Sequence, residues 1–211
     1  DEVIIATDDE RIYAAASEFG ADVCMTSTEH LTGTDRLAEV ASQRDWADND
    51  IVVNLQGDEP LMPAQLLDQV ANDLSQYSDA GIATICTPID DIEQVFDPNI
   101  TKVVMDAKGY ALYFSRAPIP YHRQQFSANQ VQQLPEHTDY FRHLGLYAYR
   151  VNALKAYPQL SPSMAETAEC LEQLRALWHG IRVHVQLACV LPPVGIDTEG
   201  DLINAEALLA N

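Results

Sequence analysis

The feature that most constrains this chain is an alternation. Short apolar runs rich in β-branched residues are separated by stretches with helical spacing. Val3-Ile4-Ile5-Ala6 and Ile51-Val52-Val53-Asn54-Leu55 are the clearest of these runs. A strand apolar along its whole length must be covered on both faces, and crossover helices do that. The pattern therefore predicts βαβ units, an α/β fold and a mainly parallel sheet with helices on both faces.

Helix signals fall between the runs. Thr7-Asp8-Asp9-Glu10 has a capping-box pattern and opens a helix that stops near Gly20. Val23-Cys24-Met25 reads as a short strand. Leu37, Val40 and Ala41 form a helix face after the Gly33-Thr34 turn, and Pro63 starts a helix carrying Leu66, Leu67, Val70 and Leu74. Further strands are expected at 81–86, 102–106, 110–115, 144–149 and 181–186. Asp106-Ala107-Lys108-Gly109 is a tight turn joining two of them in a hairpin. Helices are expected at 165–178 and 200–209, with 122–140, rich in Gln, Pro, His and Asn, as a surface excursion. The expectation is one domain over 1–211. Because Asp1-Glu2 leads straight into a buried-strand run, sequence is expected to be missing upstream.

Charge narrows the function. Twelve basic residues stand against 32 acidic ones, a formal net charge of −20. Such a field repels polyanions, so no nucleic-acid partner is expected, and an anionic substrate needs a cation or a local basic cluster to reverse the sign. No apolar run approaches the length of a membrane span, and nothing resembles a signal peptide. Cys24, Cys86, Cys170 and Cys189 form no CxxC pair, and read as reduced packing thiols of a cytoplasmic protein.

The sharpest local signal is Gln56-Gly57-Asp58-Glu59-Pro60, directly after the strand ending at Leu55. Ligands bind outside the carboxyl ends of strands in open α/β sheets, and Asp58 can offer a hard oxygen ligand there. A solvated strand-end turn is the alternative. Asp197, in Gly195-Ile196-Asp197-Thr198, is a second candidate carboxylate, with a capping role for the final helix as its alternative. Magnesium, held by one or two carboxylates plus substrate phosphates and water, suits such a pair.

Thr32-Gly33-Thr34-Asp35-Arg36 precedes a helix, and reads either as a plain N-cap turn or as a receptor for a base, ribose or anion. Arg116, Arg123, Arg142 and His143 lie within about thirty positions, as an anion pocket or as scattered surface charge. Glu166, Glu169 and Gln173 share one side of the expected helix, as a solvated acidic face or as a set that binds sugar hydroxyls. Residues 110–114 and 176–178 could contribute to an interface or to the core.

Taken in order, several segments resemble the CMP-Kdo synthetase family, the 3-deoxy-manno-octulosonate cytidylyltransferases. They are Ala6-Thr7-Asp8, Gly33-Thr34-Asp35-Arg36-Leu37, Val53-Asn54-Leu55-Gln56-Gly57-Asp58-Glu59-Pro60, Tyr113-Phe114-Ser115-Arg116 and Ile119-Pro120-Tyr121-His122-Arg123. Arg142-His143-Leu144-Gly145-Leu146-Tyr147-Ala148-Tyr149, Leu171-Glu172-Gln173-Leu174-Arg175 and Gly195-Ile196-Asp197-Thr198 complete the set. The resemblance implies a Rossmann-like nucleotide-diphospho-sugar transferase fold with a small dimerisation and sugar-binding lobe. It implies a cytoplasmic homodimer that transfers CMP from CTP to Kdo, an acidic eight-carbon sugar, for lipopolysaccharide biosynthesis, with Mg2+ as cofactor. In that family pattern Asp58 and Asp197 are the metal-binding and catalytic aspartates. Thr34, Arg36 and Asp58 hold the nucleotide. Gln56, Arg123, His143, Tyr147, Glu172 and Gln173 handle the sugar acid. The family's opening strand and basic phosphate loop are absent from the sequence given, His122 replaces a more usual acidic residue, and Ala165 a larger apolar one. Another acidic sugar, 8-amino-Kdo or a sialic acid, is an alternative substrate. A non-catalytic nucleotide-binding module is the alternative from another class.

Overall fold

The computed structural model describes residues 2–209, apart from 31, 128–130, 132, 194 and 197. The chain divides into two compact units, one formed by residues 1–50 with 150–161 and the other by residues 51–149 with 162–211.

The first unit is a βαβ start. Strands β1 (Ile4–Thr7) and β2 (Asp22–Met25) pair in parallel, Ile4 opposite Asp22 through Thr7 opposite Met25, with helix α1 (Glu10–Glu18) between them in sequence. The cap of α1 is Asp9, whose side chain accepts the Arg11 amide, and the expected Thr7–Glu10 box does not form. Thr7 instead accepts the Asp9 amide, which stiffens the turn into the helix. Helix α2 (Gly33–Gln43) is capped by Thr32, which accepts the Asp35 amide. Its apolar stripe, Ala38, Val40 and Ala41, is buried, and α2 packs against α5 (Val151–Ala156).

The second unit is built on a six-stranded sheet. It comprises β3 (Ile51–Asn54), β4 (Ile82–Pro88), β5 (Lys102–Met105), β6 (Ala111–Ser115), β7 (Phe141–Arg150) and β8 (Val183–Leu187). The order is β6-β5-β7-β4-β8, with β3 also pairing with β7. Helix α3 (Ala64–Gln76) starts after Pro63 as expected. It buries Leu66, Val70 and Leu74 completely against Ala83, Ile85, Leu146 and Ala148. Each such side chain contributes about 1.5–3 kcal/mol by leaving water.

The expectation of a mainly parallel sheet holds for β1–β2 and β4–β8, but β4–β7, β5–β6 and β5–β7 are antiparallel. Strand direction follows from connections, and an apolar run has none written in it. The Asp106–Gly109 turn forces the β5–β6 reversal. Asp106 Oδ1 accepts the amides of Lys108 and Tyr110, and Gly109 takes φ +86°. A Cβ there would lie 2.7 Å from Nε2 of His184. That buried ring stacks on Tyr77 with centroids 3.6 Å apart. Its Nδ1 lies 2.6 Å from Asp73 Oδ2 and its Nε2 3.1 Å from the Lys108 carbonyl oxygen.

Helix α4 (Ile92–Phe96) contributes Val95 to a smaller cluster with Ile89, Phe126 and Tyr140. Within the stretch expected to be a surface excursion, Phe126 and Tyr140 are therefore buried and packed in this cluster. Lys102, fully buried, donates from Nζ to the carbonyl oxygens of Asp97 at 2.7 Å, Ile100 at 2.6 Å and Arg116 at 2.6 Å. Three acceptors for three N–H groups make a buried ammonium tolerable without a carboxylate, although burial pulls its pKa down.

The expected helix over 165–178 is two helices, α6 (Met164–Glu169) and α7 (Gln173–Trp178), broken at Cys170 with φ 52°. Residue 173 therefore does not continue the face of 166 and 169. The capping box occurs here, between Ser163 and Glu166. Helix α8 (Glu199–Leu209) closes the described chain.

Candidate active site

The loop after β3 starts the site. Gln56, Gly57 and Asp58 are exposed, and the Glu59 amide donates to the Gln56 carbonyl, so the loop is an ordered turn at the carboxyl end of a strand. The Asp58 carbonyl accepts the amide of Ile196 at 2.8 Å. A Cβ on Gly195 would lie 3.0 Å from Glu59 Oε1 and 3.2 Å from the Asp58 carbonyl oxygen, so glycine lets the two segments meet. Asp197, the next residue in sequence after Ile196, lies outside the described residues. The capping alternative for it is met by Thr198, whose hydroxyl accepts the Asp201 amide.

The Asp58 carboxylate has no hydrogen bond or ion pair among the described residues. No group of three or more potential metal-ligating side chains occurs among them. One exposed hard-oxygen donor fits magnesium shared with phosphates and water, and does not fit an all-protein cage.

Strand β7 carries His143 and Tyr147, with rings 5.3 Å apart, and Phe114 of β6 meets the His143 ring edge at 4.9 Å. His143 keeps a partly accessible surface, but its ring is packed. Burial disfavours the imidazolium and pushes the pKa down to about 3. The ring is therefore a neutral hydrogen-bonding group near pH 7. Thr84 Oγ1, fully buried on β4, lies 3.0 Å from His143 Nε2. Nothing in the sequence singled out Thr84, because one threonine inside an apolar strand reads as packing.

The α6–α7 corner is held by carboxylates. Glu166 meets Arg175 through Nη2–Oε1 at 2.5 Å and Nε to both oxygens at 3.0 Å, with both side chains about nine-tenths buried. Glu169 accepts the Ser115 hydroxyl at 2.6 Å and the Arg116 amide at 2.9 Å, while Arg116 Nε donates to the Glu169 carbonyl. Neither glutamate belongs to a solvated acidic face. Both fix the start of α7, where Glu172 and Gln173 sit, and α7 packs on β6. Gln173 is 6% exposed, and its Nε2 has no hydrogen-bond partner among the described residues. A buried amide donor without an acceptor is costly unless a ligand supplies one.

Most of the basic groups are committed internally. Arg116 also donates to Pro98, Arg182 pairs with Asp79 and lies 3.5 Å over the Tyr110 ring, and Lys102 is caged. Arg123 and Arg142 are exposed, and their guanidinium groups have no partner among the described residues. Of the four positions read as one anion cluster, these two are available. Arg116 is occupied, and His143 is neutral.

In the first unit Thr34 is buried in the first turn of α2. Arg36 donates to Asp8 Oδ2 at 2.8 Å and to Thr26, and it holds the Asp8 carboxyl below its ordinary pKa. This ties the Thr7-Asp8 turn to the helix start.

Residues 1–183 match the family model described as cytidylyltransferase. Proteins named 3-deoxy-manno-octulosonate cytidylyltransferase are similar along almost the whole chain. That of Nitrosococcus oceani is 54% identical over 209 residues, 99% of this chain and 81% of its own length. That of Idiomarina loihiensis is 52% identical over 208 residues, 98% of this chain and 81% of its own. Among solved structures, the CMP:2-keto-3-deoxy-manno-octonic acid synthetase complexed with CTP aligns with TM-score 0.86 at 38% identity, covering all of this chain and 81% of that one. A 4-diphosphocytidyl-2C-methyl-D-erythritol synthase, at TM-score 0.57 and 11% identity, shares the nucleotidyltransferase-like α/β fold alone. The chain belongs to the 3-deoxy-manno-octulosonate cytidylyltransferase family.

Proposed function

We propose that this chain transfers CMP from CTP to 3-deoxy-manno-octulosonate in a magnesium-dependent reaction that releases pyrophosphate. The sugar's anomeric oxygen forms the new bond to the α-phosphorus, the bond from that phosphorus to the pyrophosphate oxygen breaks, and the hydroxyl proton is lost. The observation that carries this reading is Asp58, an exposed carboxylate with no partner among the described residues, on an ordered loop at the carboxyl end of β3, hydrogen-bonded through its carbonyl to the segment that leads into Asp197. When bound by Asp58, Asp197 and the substrates, magnesium would offset phosphate charge and favour ionisation of the attacking hydroxyl.

The chain's own residues position and neutralise. Arg123 offers the sugar carboxylate an exposed guanidinium that has no partner among the described residues. Gln173 offers its unmatched amide to a sugar oxygen, alongside Glu172, Gln56 and the neutral His143 next to Tyr147. Thr34, and Arg36 through its tie to Asp8, shape the α2 start for the nucleotide. Exposed Leu112 and Tyr113 on β6, and Trp178 at the end of α7, suit a homodimer contact.

The test is pyrophosphate release from CTP, with and without Kdo and Mg2+. Release should require both additions, and Asp58→Ala should abolish it while leaving the melting temperature unchanged. Near-normal turnover of Asp58→Ala with magnesium present would sink the metal assignment.

A further inference from the structure

Thr84 sits where β7 bulges. Ile85 pairs with Leu144 and Thr84 with Tyr147, so Gly145 and Leu146 are extra residues on β7 opposite a continuous β4. Bulges re-aim side chains and recur beside active sites. The Thr84 hydroxyl fills this one, with Oγ1 2.8 Å from the Leu146 carbonyl oxygen, 3.1 Å from that of Leu144, and 3.0 Å from His143 Nε2.

These three neighbours decide where the protons are. A hydroxyl has one proton to give, and carbonyl oxygens can only accept. If the Thr84 proton pointed at His143, the lone pairs of Oγ1 would face two carbonyl oxygens in a fully buried site. The most contacts pair a donor with an acceptor when the Thr84 proton goes to a carbonyl and His143 Nε2 donates to Oγ1, which makes two hydrogen bonds where the reverse makes one. A neutral imidazole that carries its proton on Nε2 has a bare lone pair on Nδ1, and that atom has no partner among the described residues.

We infer that Thr84 is a positioning residue that locks His143 in the Nε2–H tautomer, so that Nδ1 is presented as a hydrogen-bond acceptor to a hydroxyl of the sugar substrate. The inference rests on the proposed sugar-binding role of His143. It assigns that ring to a neutral hydroxyl and leaves the sugar carboxylate to the arginines. The depressed pKa of the ring agrees with it, because an imidazolium would have no acceptor to offer.

The test uses the whole chain and two variants. Thr84→Val keeps the shape and removes the oxygen, and Thr84→Ser keeps the oxygen. Nitrogen-15 NMR of the His143 ring, without substrate, should find Nε2 protonated and Nδ1 bare in the parent and in Thr84→Ser, and a mixed or reversed tautomer in Thr84→Val. The KM for Kdo should rise about tenfold in Thr84→Val, the ratio that corresponds to one lost hydrogen bond, with the KM for CTP unchanged and Thr84→Ser restoring the parent value. A protonated Nδ1 in the parent, or an unchanged tautomer in Thr84→Val, overturns the lock whatever the activity. A lost tautomer with an unmoved Kdo KM overturns the sugar contact and leaves CMP transfer standing. Absence of any turnover in the parent would instead refute the proposed reaction, and the NMR comparison would still decide the lock.

Discussion

Replacing Arg175 with methionine would remove the cation from the clasp between α6 and α7 and leave the Glu166 carboxylate about nine-tenths buried with, among the described residues, only the Ser163 amide, at 3.2 Å, as a donor. Three contacts of 2.5, 3.0 and 3.0 Å are lost together. Breaking a buried ion pair from one side typically costs about 3–5 kcal/mol, because an uncompensated charge stays behind. For a chain of this size each kcal/mol lowers the melting temperature by about 2–4 °C, so Arg175→Met should melt about 6–20 °C below the parent. Adding Glu166→Gln removes the stranded charge and keeps the side-chain oxygen that accepts from Ser163. The double variant should then recover to within about 1 kcal/mol of the parent. Thermal and urea unfolding of the four proteins of the cycle give the coupling directly. A single Arg175→Met variant that melts with the parent, or a double variant no more stable than that single one, would refute the view that the clasp is a desolvated, mutually dependent pair.

Gly109→Ala should destabilise by more than Gly180→Ala in urea unfolding. Both glycines have positive φ, which costs an L-residue about 1–2 kcal/mol, but only at 109 does the new Cβ meet a packed ring, a further cost of about 1–3 kcal/mol. Equal losses would mean that the His184 ring moves aside freely. For His143, the folded-state pKa of about 3 lies below the ordinary imidazole range, so the unfolded chain binds the proton more readily. Stability from this group is thus complete above about pH 6.5 and is lost as pH falls towards about 3. His143→Gln should flatten that part of the stability–pH curve, and an unchanged slope between the two proteins would contradict the burial of a neutral ring.

Much of the architecture can be read in the residues, because burial on both faces leaves a plain trace. The Pro63 helix start and the Asp106–Gly109 turn each depend on interactions within a few positions, and the apolar, β-branched run Ile51–Asn54 marks a strand although its partner, β7, is distant. The features that escape depend on distant partners. Cys170 takes a left-handed conformation usually reserved for glycine, because Glu166 and Glu169 are held by Arg175 and by the end of β6. No local signal marks the break. The direction of β7 is likewise set by its neighbours and connections. Helices α4 and α5, of five and six residues, are too short to show a period. At the candidate site, the placement of Asp58 just past a strand end is legible, because the apolar run that stops at Leu55 marks that end. Gln173 was legible as a residue but not as a buried unmatched donor. Thr84 acts through a bulge that exists only once β4 and β7 have paired.

The caged ammonium of Lys102 has a use of its own. The chain has three lysines, at 102, 108 and 155, and the first is sealed inside the second unit with no exposed surface. An amine-reactive label can reach Lys108 and Lys155 from solvent, but can reach Lys102 only when the segments carrying Asp97, Ile100 and Arg116 come apart. The rate at which that one position acquires label is therefore a built-in clock for the opening of the β5–β6 region, readable by peptide mass spectrometry without altering a single residue.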